Sequence, residues 1–133
     1  SVALQVCGSV VAQVPPLVEL TLAFAAPKGE RLRWLVEKAT ELGVSRLVPL
    51  ITERSVAEPA DSRMAKLEQT AIAACKQSGR NRLPEMFAPL SLPEYLKGSS
   101  AELRLVAHPT GTPVDEVVTR PRDVRRVSCV IGP

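Results

Sequence analysis

Three consecutive segments follow one another in an order that few folds accept. Residues 17–24 are an aliphatic run with Glu19 and Thr21 interleaved, bounded by Pro15-Pro16 and by Pro27-Lys28-Gly29. From Arg31 to Leu42 the apolar residues recur at Leu32, Leu35, Val36, Ala39 and Leu42, one face of a helix of about 3.6 residues per turn. Gly43 stands just past its end, where glycine makes a left-handed cap cheap. Arg46–Ile51 is a second aliphatic run, which Pro49 is expected to end early because proline cannot donate to a ladder. Strand, helix and strand joined by connections of a few residues predict a βαβ unit with parallel strands.

The rest of the chain repeats the alternation. A helix is expected from Ser62 to Ser78, with Met64, Leu67, Ala71, Ala74 and Cys75 on one side and Gly79 as its stop. A short strand is expected near Glu85–Ala88. Ser91-Leu92-Pro93-Glu94 reads as a capping box that opens a short helix closed by Gly98. Glu102–Ala107 is a strand, and Thr112-Pro113 opens another helix whose dipole is complemented by Asp115 and Glu116. Arg126–Ile131 is the last strand. The fold class predicted is therefore α/β: a parallel sheet with helices on both faces, its strands including Leu20–Phe24, Leu47–Leu50, Leu103–Ala107 and Val127–Ile131. The only aromatic residues are Phe24, Trp34, Phe87 and Tyr95, so the core must be built from Val, Leu, Ile and Ala, which suits buried parallel strands. Residues 1–14 alternate loosely and read as one more strand or a hairpin turning at Gly8-Ser9.

Several function classes lose support at this stage. Cys7, Cys75 and Cys129 are far apart and in apolar stretches, with no C-x-x-C spacing and one histidine in the chain, so a metal site is not expected. Buried, reduced thiols of a cytoplasmic protein are the expectation instead. No stretch is long and apolar enough to cross a bilayer, and no basic-then-apolar signal opens the chain. No serine elbow accompanies His108, which leaves a catalytic triad without support. The formal net charge of +3 is compatible with a nucleic-acid partner without requiring one.

In open parallel sheets, ligands sit beyond the carboxyl ends of the strands. That rule selects three loops, at residues 52–56, 107–112 and 131–133. The first offers Thr52, Glu53, Arg54 and Ser55, a mixture suited to phosphate or ribose and equally to a solvated, salt-bridged loop. The second holds His108 among Pro109, Gly111 and Pro113, a shaped backbone of the kind that a pocket using main-chain groups needs. The stretch from Lys76 through Gln77, Ser78, Gly79, Arg80 and Asn81 to Arg82 gathers three cations at a helix carboxyl terminus. The helix dipole accounts for part of that cluster, while phosphate and base-edge recognition would use the same residue types. Arg120, Arg122, Arg125 and Arg126 form another cluster, read as solvated surface.

Lys38-Ala39-Thr40-Glu41-Leu42-Gly43-Val44, Pro49-Leu50, Thr52-Glu53-Arg54-Ser55, Gln77-Ser78 with Arg80 and Pro84, and Ile131-Gly132-Pro133 occur in this order. Together they resemble the small-subunit ribosomal RNA methyltransferase E family, of the SPOUT superfamily, across residues 20–133. The resemblance implies S-adenosylmethionine as cofactor and N3 of a uridine in 16S ribosomal RNA as the methylated atom. It also implies a homodimer with each active site close to the subunit interface, and a trefoil knot that binds the cofactor in a bent form. Residues 1–16 would be the remnant of a PUA-like β-barrel or linker, and residues 17–133 the methyltransferase domain, truncated at its carboxyl end. The family continues past Gly132-Pro133 into an acidic residue, two glycines and a later Leu-Gly segment. These 133 residues would therefore lack part of the donor site, could not form the knot, and are expected to be inactive by themselves.

On this resemblance His108, Pro109, Ile131, Gly132 and Pro133 are expected to bind the cofactor, with His108, Pro109 and Gly132 lining one pocket. Lys76, Gln77, Arg80 and Arg82 are expected to bind RNA. Arg80 and Arg54 are candidates for stabilising negative charge on the uracil, and Glu53 for a general base. The alternatives are a non-catalytic RNA-binding or assembly module of the same fold and an unrelated flavodoxin-like domain. The latter would want a glycine-rich loop after the first strand, where only Ala25-Ala26-Pro27-Lys28-Gly29 stands.

Overall fold

A computed structural model describes residues 2–5, 7–9, 14–53, 61–118 and 123–132. In chain order the elements are β1 (Glu19–Ala25), α1 (Glu30–Glu41), β2 (Arg46–Ile51), α2 (Asp61–Ser78), β3 (Glu85–Met86), β4 (Leu90–Ser91), α3 (Leu92–Gly98), β5 (Leu103–Ala107), α4 (Val114–Val117) and β6 (Arg126–Ile131). All strand pairs are parallel, in the order β3-β2-β1-β6-β5 with β4 also on β2. The four strand segments expected to share one sheet do so.

Side-chain alternation on β1 and β2 feeds two cores. Phe24 and Leu47 pack on one face against Leu32, Val36 and Ala39 of α1 and Leu67 and Ala71 of α2. Ala23, Val48 and Leu50 point to the other face and meet Tyr95 of α3. Helices thus cover both faces, though α1 and α2 carry the larger core. Fully buried residues such as Phe24 and Val36 each contribute about 1.5–3 kcal/mol of transfer free energy relative to exposure. One polar pair is built into the second face: the hydroxyls of Tyr95 and Ser128, both buried, hydrogen-bond to each other.

Both long helices stop as their glycines predict. Gly43 (φ 83°) lets Val44 N donate to Ala39 O and Gly43 N to Thr40 O, the bond pair of a Schellman cap. Gly79 (φ 69°) lets Arg80 N donate to Cys75 O in the same way. The capping box at Ser91 is complete, with Glu94 Oε2 accepting from Ser91 N at 2.9 Å.

The structure corrects several expectations. Pro49 does not end β2; it pairs opposite Phe24, and the strand runs to Ile51. On its other side β2 pairs with β3 at residues 46–47 and with β4 at residues 50–51, so Pro49 falls in the gap between two short partners, where no donor is missed. The strand expected near Glu85–Ala88 is only Glu85–Met86, and β4 was not foreseen, because two-residue strands are too short to show a period. Leu42, placed on the apolar face of α1, is 80% exposed, because the chain leaves the helix at that residue. Gly98 lies inside α3, and Ser99, in extended conformation, ends the helix. Before Glu19 no strand forms among the described residues, where a strand or hairpin was expected. All three thiols are free, but Cys7 is exposed; Cys75 is buried and Cys129 half-buried.

Candidate functional site

The topology makes one place on the sheet different from the rest. From β1 the chain crosses through α1 to β2 on one side, whereas β6 reaches β1 from β5 on the other. The strand order therefore reverses between β1 and β6, and their carboxyl ends flank the crevice that such a reversal leaves. Phe24 pairs with Ile131 and Ala107 with Ile131, which puts the loops after β1, β6 and β5 side by side.

These loops expose main chain more than side-chain chemistry. His108, Pro109 and Gly132 are all exposed, and Gly132 has open space where a β-carbon would sit. The turn after β5 is held from inside: Gly111 N donates to His108 O at 3.0 Å, and Thr110 N donates to His108 Nδ1 at 3.2 Å. A β-carbon on Gly111 would meet His108 O at 3.2 Å, so the tightness of the turn favours glycine there. Ile131 is 38% exposed at the tip of β6. Such a rim can offer N–H and C=O groups to a polar ligand and forms one wall for it. Glu53 also lies at this edge, just past β2, but three strand spacings from β5, or ~14 Å. Arg54 and Pro133 lie outside the described residues.

The cationic cluster sits elsewhere. Lys76, Gln77, Arg80 and Arg82 close α2 and precede β3, which puts them at the amino edge of the sheet. A six-residue strand separates the two edges by ~20 Å. Within one chain Arg80 and the β5/β6 loops cannot share a small site. Arg80 is also engaged: its Nε donates to Glu41 O at 2.6 Å, satisfying a terminal carbonyl of α1, and its guanidinium lies over Gly43. Nε of Arg80 is thus committed to a tie between the ends of α1 and α2, a role that the sequence reading did not include. The sequence carried a signal for this, since two helices ending in glycine at one edge of a βαβ unit bring their last carbonyls close to the residues that follow. Lys76, Gln77 and Arg82 are exposed. A groove of about 430 Å³ at this edge is lined by Arg46, Arg80, Arg82, Glu19 and Glu85, but Arg46 is paired with Glu19 and Glu85 at 3.6 and 3.5 Å.

A smaller cavity of about 300 Å³ lies under α3, lined by Thr21, Arg46, Val48, Phe87, Tyr95 and Arg126. It opens over the amino halves of the strands, where Glu102 holds the start of β6. The Glu102 carboxylate accepts from Arg125 N at 2.7 Å and Arg126 N at 2.9 Å, and these bonds hold its carboxyl below the ordinary glutamate range. No cluster of metal-ligating side chains and no helix able to cross a membrane occurs among the described residues.

Residues 14–133 match the family described as RNA methyltransferase domain. The ribosomal RNA small subunit methyltransferase E of Synechocystis is 33% identical over 78 residues, 59% of this chain and 26% of that protein. Its Bacillus subtilis counterpart is 33% identical over 84 residues, 60% of this chain and 33% of that protein. Among solved structures, a Legionella pneumophila protein in complex with the cofactor SAM superposes with a TM-score of 0.74 at 34% identity, over 88% of this chain and 49% of that one. The ribosomal RNA small subunit methyltransferase E of Neisseria gonorrhoeae, bound to S-adenosyl methionine, gives 0.73 at 26% identity, over 86% and 49%. The chain thus spans about half of those solved chains and a third or less of those curated relatives.

Proposed function

Since this chain belongs to the RNA methyltransferase domain family, we propose that the protein it represents methylates N3 of a uridine in 16S ribosomal RNA, using S-adenosylmethionine. The single observation that carries the cofactor part is the reversal of strand order between β1 and β6, flanked by the exposed residues His108–Thr112 and Gly132. Likeness to two solved structures that hold this cofactor supports the same reading. The residues present fit one side of such a ligand: an open glycine, where a nucleoside can approach the backbone, beside a turn already braced by its own hydrogen bonds. His108, Pro109, Ile131, Gly132 and Pro133 are the residues we assign to it. When bound, the cofactor supplies an electrophilic methyl group on a sulfonium.

What remains is work for the protein. The uridine N3 proton must leave before or as the nitrogen attacks, and negative charge develops on the uracil oxygens. Positioning of the two partners and donors aimed at that charge are the main terms. Glu53, which follows β2 at the carboxyl edge, and Arg54, next to it in sequence, are the groups we assign to proton removal and charge stabilisation. Lys76, Gln77 and Arg82 present polar groups to RNA from the other edge. A homodimer would let one subunit's amino-edge cations serve RNA held at its partner's cofactor edge.

The test uses the full-length protein, with calorimetry for S-adenosylmethionine and methyl incorporation into small ribosomal subunits. Gly132→Ala meets no atom within 4 Å, so its folding should be unchanged while cofactor affinity falls. Unchanged affinity in Gly132→Ala refutes the assignment of this rim. Methyl incorporation at an atom other than uridine N3 refutes the substrate assignment.

A further inference from the structure

The helical face carries a cationic feature that neither sheet edge explains. The amino-terminal halves of α1 and α2 border a groove of about 650 Å³, lined among others by Gly29, Leu32, Arg33, Arg63, Lys66 and Gln69. Arg33, Arg63 and Lys66 are exposed, and none takes part in an ion pair among the described residues. Lys38, Arg46 and Arg126, by contrast, are all paired. Glu30 and Glu68 also line the groove, so its cations outnumber its acids by three to two, and Lys28 and Arg31 add to the positive side just outside it.

Stability gives no reason for this arrangement. Cations in the first turns of a helix oppose its dipole, which favours acids there. Arg33 and Arg63 stand in the first turns of α1 and α2, against the dipoles, and Lys66 follows in the second turn of α2; unpaired cations in this arrangement suit an external polyanion. The groove is also placed for the proposed reaction. Gly29 lines it and stands four residues past Ala25, the last residue of β1, so its mouth opens toward the carboxyl edge. Helices packed with axes about 8–10 Å apart leave only a shallow valley between them, which the phosphates of one strand can follow and a rigid duplex cannot enter.

We propose that this groove binds the phosphate backbone of the RNA as a single strand and leads it to the carboxyl edge of the sheet. The proposal rests on the RNA reading above and differs from it in place: the amino-edge cations Lys76 and Arg82 are not needed for this contact. Trp34, the one tryptophan of these 133 residues, is 61% exposed beside Arg33 at the border of the groove, so RNA seated there should change its fluorescence.

The experiment titrates the full-length protein with a short single-stranded oligouridine RNA at several salt concentrations, reading Trp34 fluorescence and RNA anisotropy. In R33Q/R63Q/K66Q, the slope of log affinity against log salt should fall by about 2, since each single-strand phosphate contact contributes about 0.7. Glutamine keeps helix propensity, so far-UV circular dichroism and S-adenosylmethionine affinity should match wild type. K76Q/R82Q, whose cations the proposed function also assigns to RNA, should lower the slope by no more than about 1.4, and the loss in the triple variant should add to it. A steep wild-type slope that persists in the triple variant and falls in K76Q/R82Q overturns the groove and leaves the RNA reading standing. A wild-type protein whose RNA affinity is weak and independent of salt overturns both.

Discussion

Arg80 and Gly43 form a pair whose coupling can be calculated in advance. The Arg80 Nε–Glu41 O bond is short but exposed to solvent, so its removal by Arg80→Ala is expected to cost about 1 kcal/mol, less than the ~1.5–3 kcal/mol of a shielded charged donor. Gly43 has φ 83°, a conformation in which a β-carbon costs roughly another 1 kcal/mol. That β-carbon would also stand 2.6 Å from an Arg80 terminal nitrogen and 2.9 Å from its Cζ. Since these atoms are the far end of a flexible side chain, Arg80 would swing away and lose its bond to Glu41. Gly43→Ala alone should therefore cost about 2 kcal/mol: the backbone strain plus the lost tie. In an Arg80→Ala background the same change should cost only about 1 kcal/mol, which gives a coupling of about 1 kcal/mol, above the usual additivity error of about 0.3–0.5 kcal/mol. Urea denaturation of the four proteins measures it, with equal m-values as the check that compactness is unchanged. Methyl transfer by Arg80→Ala should stay near wild type at temperatures where the fold persists, whereas loss of a preorganised catalytic donor would lower it by about a hundredfold or more. Additive effects, or wild-type stability with a hundredfold loss of turnover, would refute the reading of Arg80 as a tie.

Three further outcomes are expected. Tyr95→Phe leaves the buried Ser128 hydroxyl without its partner and should cost about 1–3 kcal/mol, much of which Ser128→Ala in the same protein should restore; no restoration in denaturant melts counts against the pair. Glu102 has its folded carboxyl lowered, first by the Arg125 N–H and then by the Arg126 N–H, so its stabilisation is complete above the ordinary glutamate range and is lost as pH falls through the lowered value. Glu102→Gln should therefore flatten the acid limb of the stability–pH curve, and an unchanged limb would show that these bonds contribute nothing. A thiol reagent should label Cys7 rapidly, Cys129 slowly because partial burial pushes its thiol up, and Cys75 only on unfolding; equal rates for all three would contradict the packing.

Much of the architecture was legible in the chain because it is local. The periods of α1 and α2, the stops at Gly43 and Gly79, the capping box at Ser91 and the bounds of β6 depend on residues a few positions apart, and each forms as its sequence implies. The alternation of elements was enough to predict a parallel sheet, since parallel neighbours need crossovers. Strand order, in contrast, depends on contacts between distant segments. It was the order β3-β2-β1-β6-β5 that located the crevice beside Gly132 and let Pro49 stand inside β2 between two short partners. Only tertiary packing shows that Arg80 is engaged with Glu41, while Arg33, Arg63 and Lys66, unremarkable in sequence, line one groove from two helices without an ion pair among them. Residue type and spacing report what a side chain can do; whether it is free to do it depends on partners 30 or more positions away, as the 39-residue separation of Arg80 and Glu41 illustrates.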